Sequence, residues 1–386
     1  MAQGSAGGEE GKGLERARLR VLIAGGGTGG HVIPALAIAR ELRDVHGAEV
    51  RFVGTARGLE TELVPAAGFP LDLIRVGQLK NVTLGTRART LADLPLGVLR
   101  CVALLRAYRP HVVVGVGGYA SGPMMLAAIV RGTPTLAFEP NAVPGLANRL
   151  VGRRVSAAAV NFAATCAYFR GAVVTGIPVR QEFFAIEPKI TAGQRLFIFG
   201  GSQGARVLNE VLSQVAASLL ERFPELTILH QTGARHMDDV VAAYANAGIQ
   251  TDRLQVKPYV ERMVDEIAAA DVILCRSGAS TVAELAAAGR SAVLVPFAAA
   301  ADDHQRRNAE VMVAAGAARM ILEVEFTPER AEAELSALLQ DADSRQRMAE
   351  AAWRLAHPDA AQRIATMCLK LAEPGFRDES VGQHRT

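Results

Sequence analysis

The chain has 386 residues, half of them hydrophobic and 21% charged, with a formal net charge of +3. That length exceeds the usual single-domain range, so two domains with sizeable cores are expected. The small positive excess, and the lack of basic runs interleaved with aromatics (only 5% of the chain), argue against nucleic acid as a partner.

Residues 1–18 form a Gly/Glu/Lys-rich stretch that reads as a disordered tail and is unlike a secretory signal. Short β-branched runs then alternate with Ala- and Leu-rich helical patterns. Strands are expected at 19–24, 50–53, 71–75, 112–116, 135–138 and 157–160. A second series is expected at 196–199, 227–230, 254–256, 272–275, 292–295 and 318–321. Strands this short and apolar, spaced by helices, imply parallel sheets covered on both faces. Two series imply an α/β chain with two doubly wound, Rossmann-like domains, each binding ligand at the carboxyl ends of its strands. The break falls where a strand ends in Thr175-Gly-Ile-Pro-Val-Arg180. The expected organisation is a first domain over 19–177 and a second over 178–355. A helix over 356–373 packs back on the first, and 374–386 form a flexible tail. Helical patterns close the chain at 331–339, 344–356 and 360–371.

Four cysteines, Cys101, Cys166, Cys275 and Cys368, form no CxxC pair, which suits a reducing, cytoplasmic compartment. The longest apolar run, 292–301, contains Pro296 and is far short of the roughly 20 residues that span a bilayer. The stretch 76–105 mixes leucines with Lys80, Arg87, Arg89 and Arg100 and carries a single acid, Asp93. It fits an element facing anionic lipid and equally a buried helix with solvated arginines.

Chemistry concentrates in glycine-rich turns. Val21-Leu-Ile-Ala runs into Gly25-Gly-Gly-Thr-Gly-Gly30, five glycines in six residues, with His31 and a helix behind them. Glycines let a backbone approach a ligand closely, and the unpaired N–H groups of a helix start favour a phosphate or diphosphate. Two similar turns follow, Gly115-Val-Gly-Gly-Tyr-Ala-Ser-Gly122, with Gly117, Gly118 and the donors Tyr119 and Ser121, and Gly200-Gly-Ser-Gln-Gly-Ala-Arg206. The first turn satisfies GxGxxG, but the second strand, ending Arg51-Phe-Val-Gly-Thr55, brings no acid for a ribose diol, so an NAD enzyme is disfavoured. His31, at the mouth of the helix, either packs at the helix end or accepts a proton from an attacking hydroxyl, and its place beside the turn favours the second. Thr281 and Glu284 in Arg276-Ser-Gly-Ala-Ser-Thr-Val-Ala-Glu284 fit a capping box; the carboxylate could equally take the two hydroxyls of a ribose. In Asp302-Asp-His-Gln305 an aspartate could cap the helix expected over 306–315, while Gln305 could read sugar hydroxyls. Arg206 could pair on the surface, and Asp341 and Asp343, between two late helices, read as caps and not as metal ligands. No metal site and no cofactor are expected.

Taken together, these motifs resemble the MurG family, the bacterial peptidoglycan glycosyltransferases. The matching residues are 25–31, 115–123, Glu139-Pro-Asn141 with Pro144, Gly145 and Asn148, then 175–180, 200–206, 276–284 and 302–305, in that order from 19 to 371. The resemblance implies a GT-B fold with a deep inter-domain cleft. It also implies inverting transfer of N-acetylglucosamine (GlcNAc) from UDP-GlcNAc to the 4-hydroxyl of the muramoyl sugar in undecaprenyl-diphospho-N-acetylmuramoyl-pentapeptide (lipid I), giving lipid II. Carried over by motif, Thr28, Gly29, Gly30 and Asn141 would touch the donor sugar, and Arg180, Ser202, Val260, Ala279, Ser280, Thr281, Val282, Ala283, Glu284 and Gln305 would hold the donor. Glu284 would bind the ribose, Ser202 the phosphate side, Val260 the uracil through its backbone, and Gln305 the sugar. His31 would be the base. Gly26, Gly27, Gly117, Gly118 and Tyr119 would receive the acceptor diphosphate. The family commonly has His-Glu-Gln-Asn where this chain has Phe138-Glu-Pro-Asn141, and alanines follow Phe297. A peripheral place on the cytoplasmic face of the inner membrane, with cell-wall and division proteins as partners, goes with the resemblance. Two rivals remain: a UDP-GlcNAc 2-epimerase on the same fold, and a non-catalytic nucleotide-sugar-binding scaffold at the membrane.

Overall fold

The computed structural model describes residues 18–76, 84–187 and 193–373, with the backbone alone over 84–95. The two terminal tails expected from the sequence lie outside these residues, as do Leu79, Lys80 and Val82 of the basic-apolar stretch and the side chains of Arg87, Arg89, Leu91, Asp93 and Leu94. Seven strands form the first sheet: β1 (Arg20–Gly25), β2 (Glu49–Gly54), β3 (Leu71–Leu73), β4 (Val112–Gly117), β5 (Thr135–Glu139), β6 (Ala157–Val160) and β7 (Ala172–Val174). Six form the second: β8 (Arg195–Phe199), β9 (Thr227–Gln231), β10 (Leu254–Lys257), β11 (Val272–Cys275), β12 (Ala292–Leu294) and β13 (Arg319–Met320). All pairings are parallel, in the orders β3-β2-β1-β4-β5-β6-β7 and β10-β9-β8-β11-β12-β13. Each order reverses beside its first strand, which is the doubly wound arrangement.

The central strands β1, β4, β5, β6 and β11 are buried along nearly their whole length, because helices cover both faces of each sheet. One face of the first sheet packs on the helix Gly29–Arg40 and on the last helix of the chain, Ala360–Ala372, whose Ile364, Cys368 and Leu371 are buried in the same cluster as Val21, Ile38 and Val114. Those residues recur at helical spacing, and each large one contributes on the order of 1.5–3 kcal/mol by leaving water. The chain therefore crosses back from the second sheet to complete the core of the first. The other face carries the helices Leu84–Tyr108 and Ser121–Val130. The second sheet has a core on each face in the same way.

Two local expectations are corrected and a third is given its bounds. The third strand ends at Leu73 and not at 75, because Ile74 already turns its N–H to the Gly54 carbonyl at 3.0 Å, after which the ladder stops. The strand expected to end in the turn at 175–180 is the edge strand Ala172–Val174. The late helix expected to begin at 306 begins at His304. Cys101, Cys275 and Cys368 are buried, Cys166 is half-buried, and all four are free thiols. Among the described residues no helix is long and apolar enough to cross a membrane.

Candidate active site

The glycine turns follow the two strands flanking each point of reversal. Gly25 to Gly30 leave β1, and Gly117 to Gly122 leave its neighbour β4. Gly200 to Arg206 leave β8, and Arg276 to Glu284 leave its neighbour β11. A crevice at the carboxyl ends of such strands is where doubly wound sheets bind ligands.

In the first lobe the two turns lock together. Gly25, Gly26 and Gly27 have φ of +149, +149 and +97°, and Gly117 and Gly118 of +91 and +80°. Gly26 N–H donates to the Gly117 carbonyl at 3.3 Å, and a Cβ on Gly118 would overlap the Gly26 carbonyl oxygen. A Cβ on Gly117 would stand 2.9 Å from His31 Nε2, so glycine at 117 makes room for the imidazole. Thr28 is the N-cap of Gly29–Arg40, with its side chain unused as a cap, and its Oγ1 lies 3.4 Å from His31 Nδ1. The amides of Gly29 and Gly30, at the first two helical positions, have no acceptor within the helix. Burial lowers the His31 pKa, and so does His304 from the second lobe; a backbone hydrogen bond with Gly26 and the charge of Glu60 oppose this. A ring held below 6.5 is neutral at physiological pH and free to accept a proton. Tyr119 is exposed, whereas Ser121 is buried beneath the turn against Gly115 and is not aimed outward.

The expected role of Gly26 and Gly27 as donors to a diphosphate needs correction, because both amides are spent. Gly26 N–H binds Gly117, and Gly27 N–H donates to Glu60 Oε2 at 2.7 Å. The amides left open lie further along, among them Gly29 and Gly30 at the helix start.

Asn141 is held from two sides. Its backbone N–H and its Nδ2 donate to Glu139 Oε1 at 3.0 and 3.1 Å, and its Oδ1 accepts from Asn308 Nδ2 at 3.2 Å. One N–H of the carboxamide remains for a ligand. Glu139 also accepts from Gly145 N and from Asn148 Nδ2; burial pushes its carboxyl up against the pull of those bonds. Asn308 is fully buried and joins the lobes: its Oδ1 accepts from Ala142 N at 2.9 Å, and its Nδ2 also donates to the Ser277 carbonyl at 3.2 Å. Arg149 and Asp302 form a second bridge at 3.4 Å. Phe138, one residue before Glu139, is fully buried in the first core, so the departure from the family's histidine is a packing position.

In the second lobe Ser202 is exposed on its turn, and Arg206 pairs with Glu210 on the surface at 3.7 Å. Val260 is buried, leaving its backbone as the group that could meet a ligand. The capping box is overturned: Gly278 is the N-cap of the helix Ala279–Ala288, so Thr281 is its third residue and Glu284 lies in its second turn. Ala279 and Val282 are buried, Ser280, Thr281, Ala283 and Glu284 are half-buried, and Ser280 Oγ is buried without a partner among the described residues. Burial pushes the Glu284 carboxyl up to about 7, opposed by Arg180, whose guanidinium also lies over the Phe183 ring. Asp303 precedes the helix His304–Ala314 without capping it through its side chain. Gln305 Oε1 accepts from Phe297 N at 3.0 Å, which turns its two N–H groups toward other partners. Asp341, by contrast, caps the helix Ala342–Trp353 through Ser344 N at 2.8 Å. Among the described residues no cluster of three His, Cys, Asp or Glu side chains could hold a metal ion.

Residues 21–160 match the glycosyltransferase family 28 N-terminal domain, and residues 195–364 match that family's C-terminal domain. A UDP-N-acetylglucosamine--N-acetylmuramyl-(pentapeptide) pyrophosphoryl-undecaprenol N-acetylglucosamine transferase from Anaeromyxobacter sp. (strain Fw109-5) is 44% identical over 373 residues, covering 95% of this chain and 97% of the relative. The crystal structure of Acinetobacter baumannii MurG is 32% identical, with a TM-score of 0.77 over 91% of this chain and 99% of that one. The chain belongs to the MurG family. Its two parallel-sheet lobes are the GT-B fold of that family. A Neisseria meningitidis UDP-GlcNAc 2-epimerase bound to UDP-GlcNAc shares the fold alone, at 14% identity and a TM-score of 0.64.

Two residues of this MurG-family site had no role in the sequence reading. Glu60, 1% exposed, binds the first turn across 33 residues of chain, and Asn308 binds Asn141 across 167. The available signals were weak: an acid soon after the second strand, and an asparagine one helical turn past Gln305.

Proposed function

We propose that this protein moves GlcNAc from UDP-GlcNAc to the 4-hydroxyl of the muramoyl sugar of lipid I, forming the β-1,4 linkage of lipid II. The 95% coverage by a transferase of that description at 44% identity carries the reading. The site chemistry agrees with it. His31 takes the proton of the attacking hydroxyl as the oxygen bonds the anomeric carbon. The bond to the UDP oxygen breaks on the opposite face. Charge building on the leaving diphosphate meets N–H groups and the positive end of the helix behind the β8 turn, beside Ser202. Glu284 holds the ribose, Val260 the uracil through its backbone, Gln305 and Asn141 the sugar, and Arg180 lies beside Glu284. Gly29 and Gly30, with Gly118 and Tyr119 across from them, face the acceptor diphosphate. We place the boundary between the acceptor and donor lobes at 177/178.

The acceptor is a membrane lipid, and one surface suits it. Leu96 and Leu99 of Leu84–Tyr108, with Leu126 and Val130 of Ser121–Val130, are exposed beside Arg100 and Arg131 on two helices packed together. Apolar side chains ringed by arginines favour an anionic bilayer surface, which supports a peripheral position on the cytoplasmic face. The deciding experiment follows labelled GlcNAc from UDP-GlcNAc into a lipid I analogue, with and without chelator. Label in a disaccharide-lipid product is expected; isomerisation of donor alone, or binding without transfer, would overturn the reading.

A further inference from the structure

Glu60 opens the helix Glu60–Ala66, six residues after the end of β2, yet it is only 1% exposed. Its carboxylate is fully engaged. Oε2 accepts from Gly27 N at 2.7 Å, and Oε1 accepts from Thr55 N at 2.9 Å and Thr55 Oγ1 at 3.1 Å. The Gly27 carbonyl in turn accepts from Leu59 N at 3.2 Å, so the middle of the first turn is tied at both ends to the start of this helix. A Cβ on Gly26, Gly54 or Gly58 would run into the Glu60 carboxyl group, so three glycines are shaped around one side chain. Burial alone would raise this carboxyl, but the amides of Gly27, Thr55 and Glu60 itself and the Thr55 hydroxyl hold it below the usual glutamate range.

We propose that Glu60 is a positioning residue for the transfer reaction, an anion built into the first glycine turn that fixes how Gly29, Gly30 and His31 meet the acceptor. The inference rests on the function proposed above. The physical case has two parts. A phosphate at this turn would compete for the Gly27 amide with a carboxylate already in place and would be repelled by its charge. The Gly27 amide is thereby closed to a phosphate, which must be met further along, at Thr28 and the helical amides of Gly29 and Gly30, next to His31. Second, the turn has three consecutive residues at positive φ, which glycine reaches without preference, so an external tie is needed to hold one conformation. Displacing a reacting group by about an ångström costs on the order of 100-fold in rate.

Gln cannot replace Glu60, because the N–H groups of Gly27 and Thr55 face separate carboxylate oxygens and the amide NH2 of Gln would oppose one of them. Thr55→Val is the milder variant, losing only the hydroxyl bond at 3.1 Å. For Glu60→Gln, assayed with UDP-GlcNAc and a lipid I analogue, kcat is expected to fall on the order of 10- to 100-fold. KM for UDP-GlcNAc, held mainly by the other lobe, changes less than kcat does, and Thr55→Val shows a smaller loss of the same kind. The charges acting on His31 come from Glu60 and from His304 across the lobes, with the Gly26 backbone and Thr28 Oγ1 as its hydrogen-bonding neighbours. Removing the Glu60 charge removes an influence that raises the His31 pKa, so the acid limb of kcat moves to lower pH. Amide hydrogen exchange over residues 25–31 speeds up in Glu60→Gln whether or not turnover is measured. A normal kcat with an unmoved acid limb and unchanged exchange would overturn the proposal. So would a matched loss of kcat and donor binding accompanied by a lowered melting temperature in both variants, since that is a fold defect. Failure of the unsubstituted protein to transfer sugar counts against the function, while the exchange measurement still judges the tie.

Discussion

Glu284→Gln should make the protein more stable and a worse binder of its donor, and both effects should grow as pH rises through the range where the carboxyl ionises. Burial holds the Glu284 carboxyl at about 7, whereas in the unfolded chain it titrates near its usual 4.5. Between those values the folded chain keeps a proton that the unfolded chain has lost. Stability therefore declines as pH climbs from about 4.5 to about 7 and is level above that. At 1.36 kcal/mol per unit the loss is at most about 3 kcal/mol, and partial exposure reduces it toward about 1–2. Gln matches the neutral form in shape and cannot ionise. At pH 5 the two proteins should differ by less than about 1 kcal/mol. At pH 8 Glu284→Gln should unfold later, by about 2–4 °C for each kcal/mol in a domain of this size. At pH 8 KM for UDP-GlcNAc should be about 10- to 100-fold higher in Glu284→Gln, because a carboxylate is the stronger acceptor for a ribose diol, and the gap should close toward pH 5, where the carboxyl is protonated. Thermal unfolding at the two pH values, paired with donor titration, reads both effects. Equal stabilisation at pH 5 and pH 8, or none at pH 8, would refute the assignment of a strained carboxyl at this position.

Other outcomes follow from the same geometry. His31→Ala should lower kcat by about 10²- to 10⁴-fold while isothermal titration finds UDP-GlcNAc affinity intact; unchanged turnover removes His31 from the mechanism. Because burial sets His31 below 6.5 and Glu284 at about 7, the acid limb of kcat should lie below 6.5, whereas KM for the donor should climb as pH falls through about 7. A single shared limb would contradict that separation. Asn308→Ala strips Ala142 N and Ser277 O of a buried partner and frees the Asn141 carboxamide, so urea denaturation should show about 2–4 kcal/mol of destabilisation together with a raised donor KM. Leu96→Asp combined with Leu99→Asp should weaken sedimentation with anionic vesicles yet spare turnover on a short-chain, water-soluble acceptor.

The turns were readable because their chemistry is local. Gly25 to Gly27, Gly117 and Gly118 occupy backbone regions that few other residues tolerate, so glycine density after a short apolar strand announces them. The strands were readable for a similar reason, since burial on both faces leaves a continuous apolar run at β4, β6 or β11. What failed to show was pairing across distance. Glu60 reads as an ordinary first-turn acid until Gly27, 33 positions earlier, is folded onto it. Asn308 reads as a polar position on a helix until it meets Asn141 from the other lobe. Thr281 and Glu284 misled because the three-residue spacing of a capping box also occurs inside a helix, and only the start at Gly278 tells the two apart. The spent amide of Gly27 belongs with these: a glycine-rich turn advertises room for an anion, not whether the protein has already supplied one.

The return of Ala360–Ala372 to the first sheet has a consequence for how the polypeptide matures. Ile364, Ala365, Cys368 and Leu371 are the final apolar pieces of a cluster that otherwise begins at Val21. A ribosome releases Val21 350 residues before Leu371. While the second lobe is being made, the first must wait with an uncovered greasy groove, and only when the helix Ala360–Ala372 emerges can it close. Any frameshift or clipping upstream of Ala360 therefore damages the opposite end of the molecule from the one it touches.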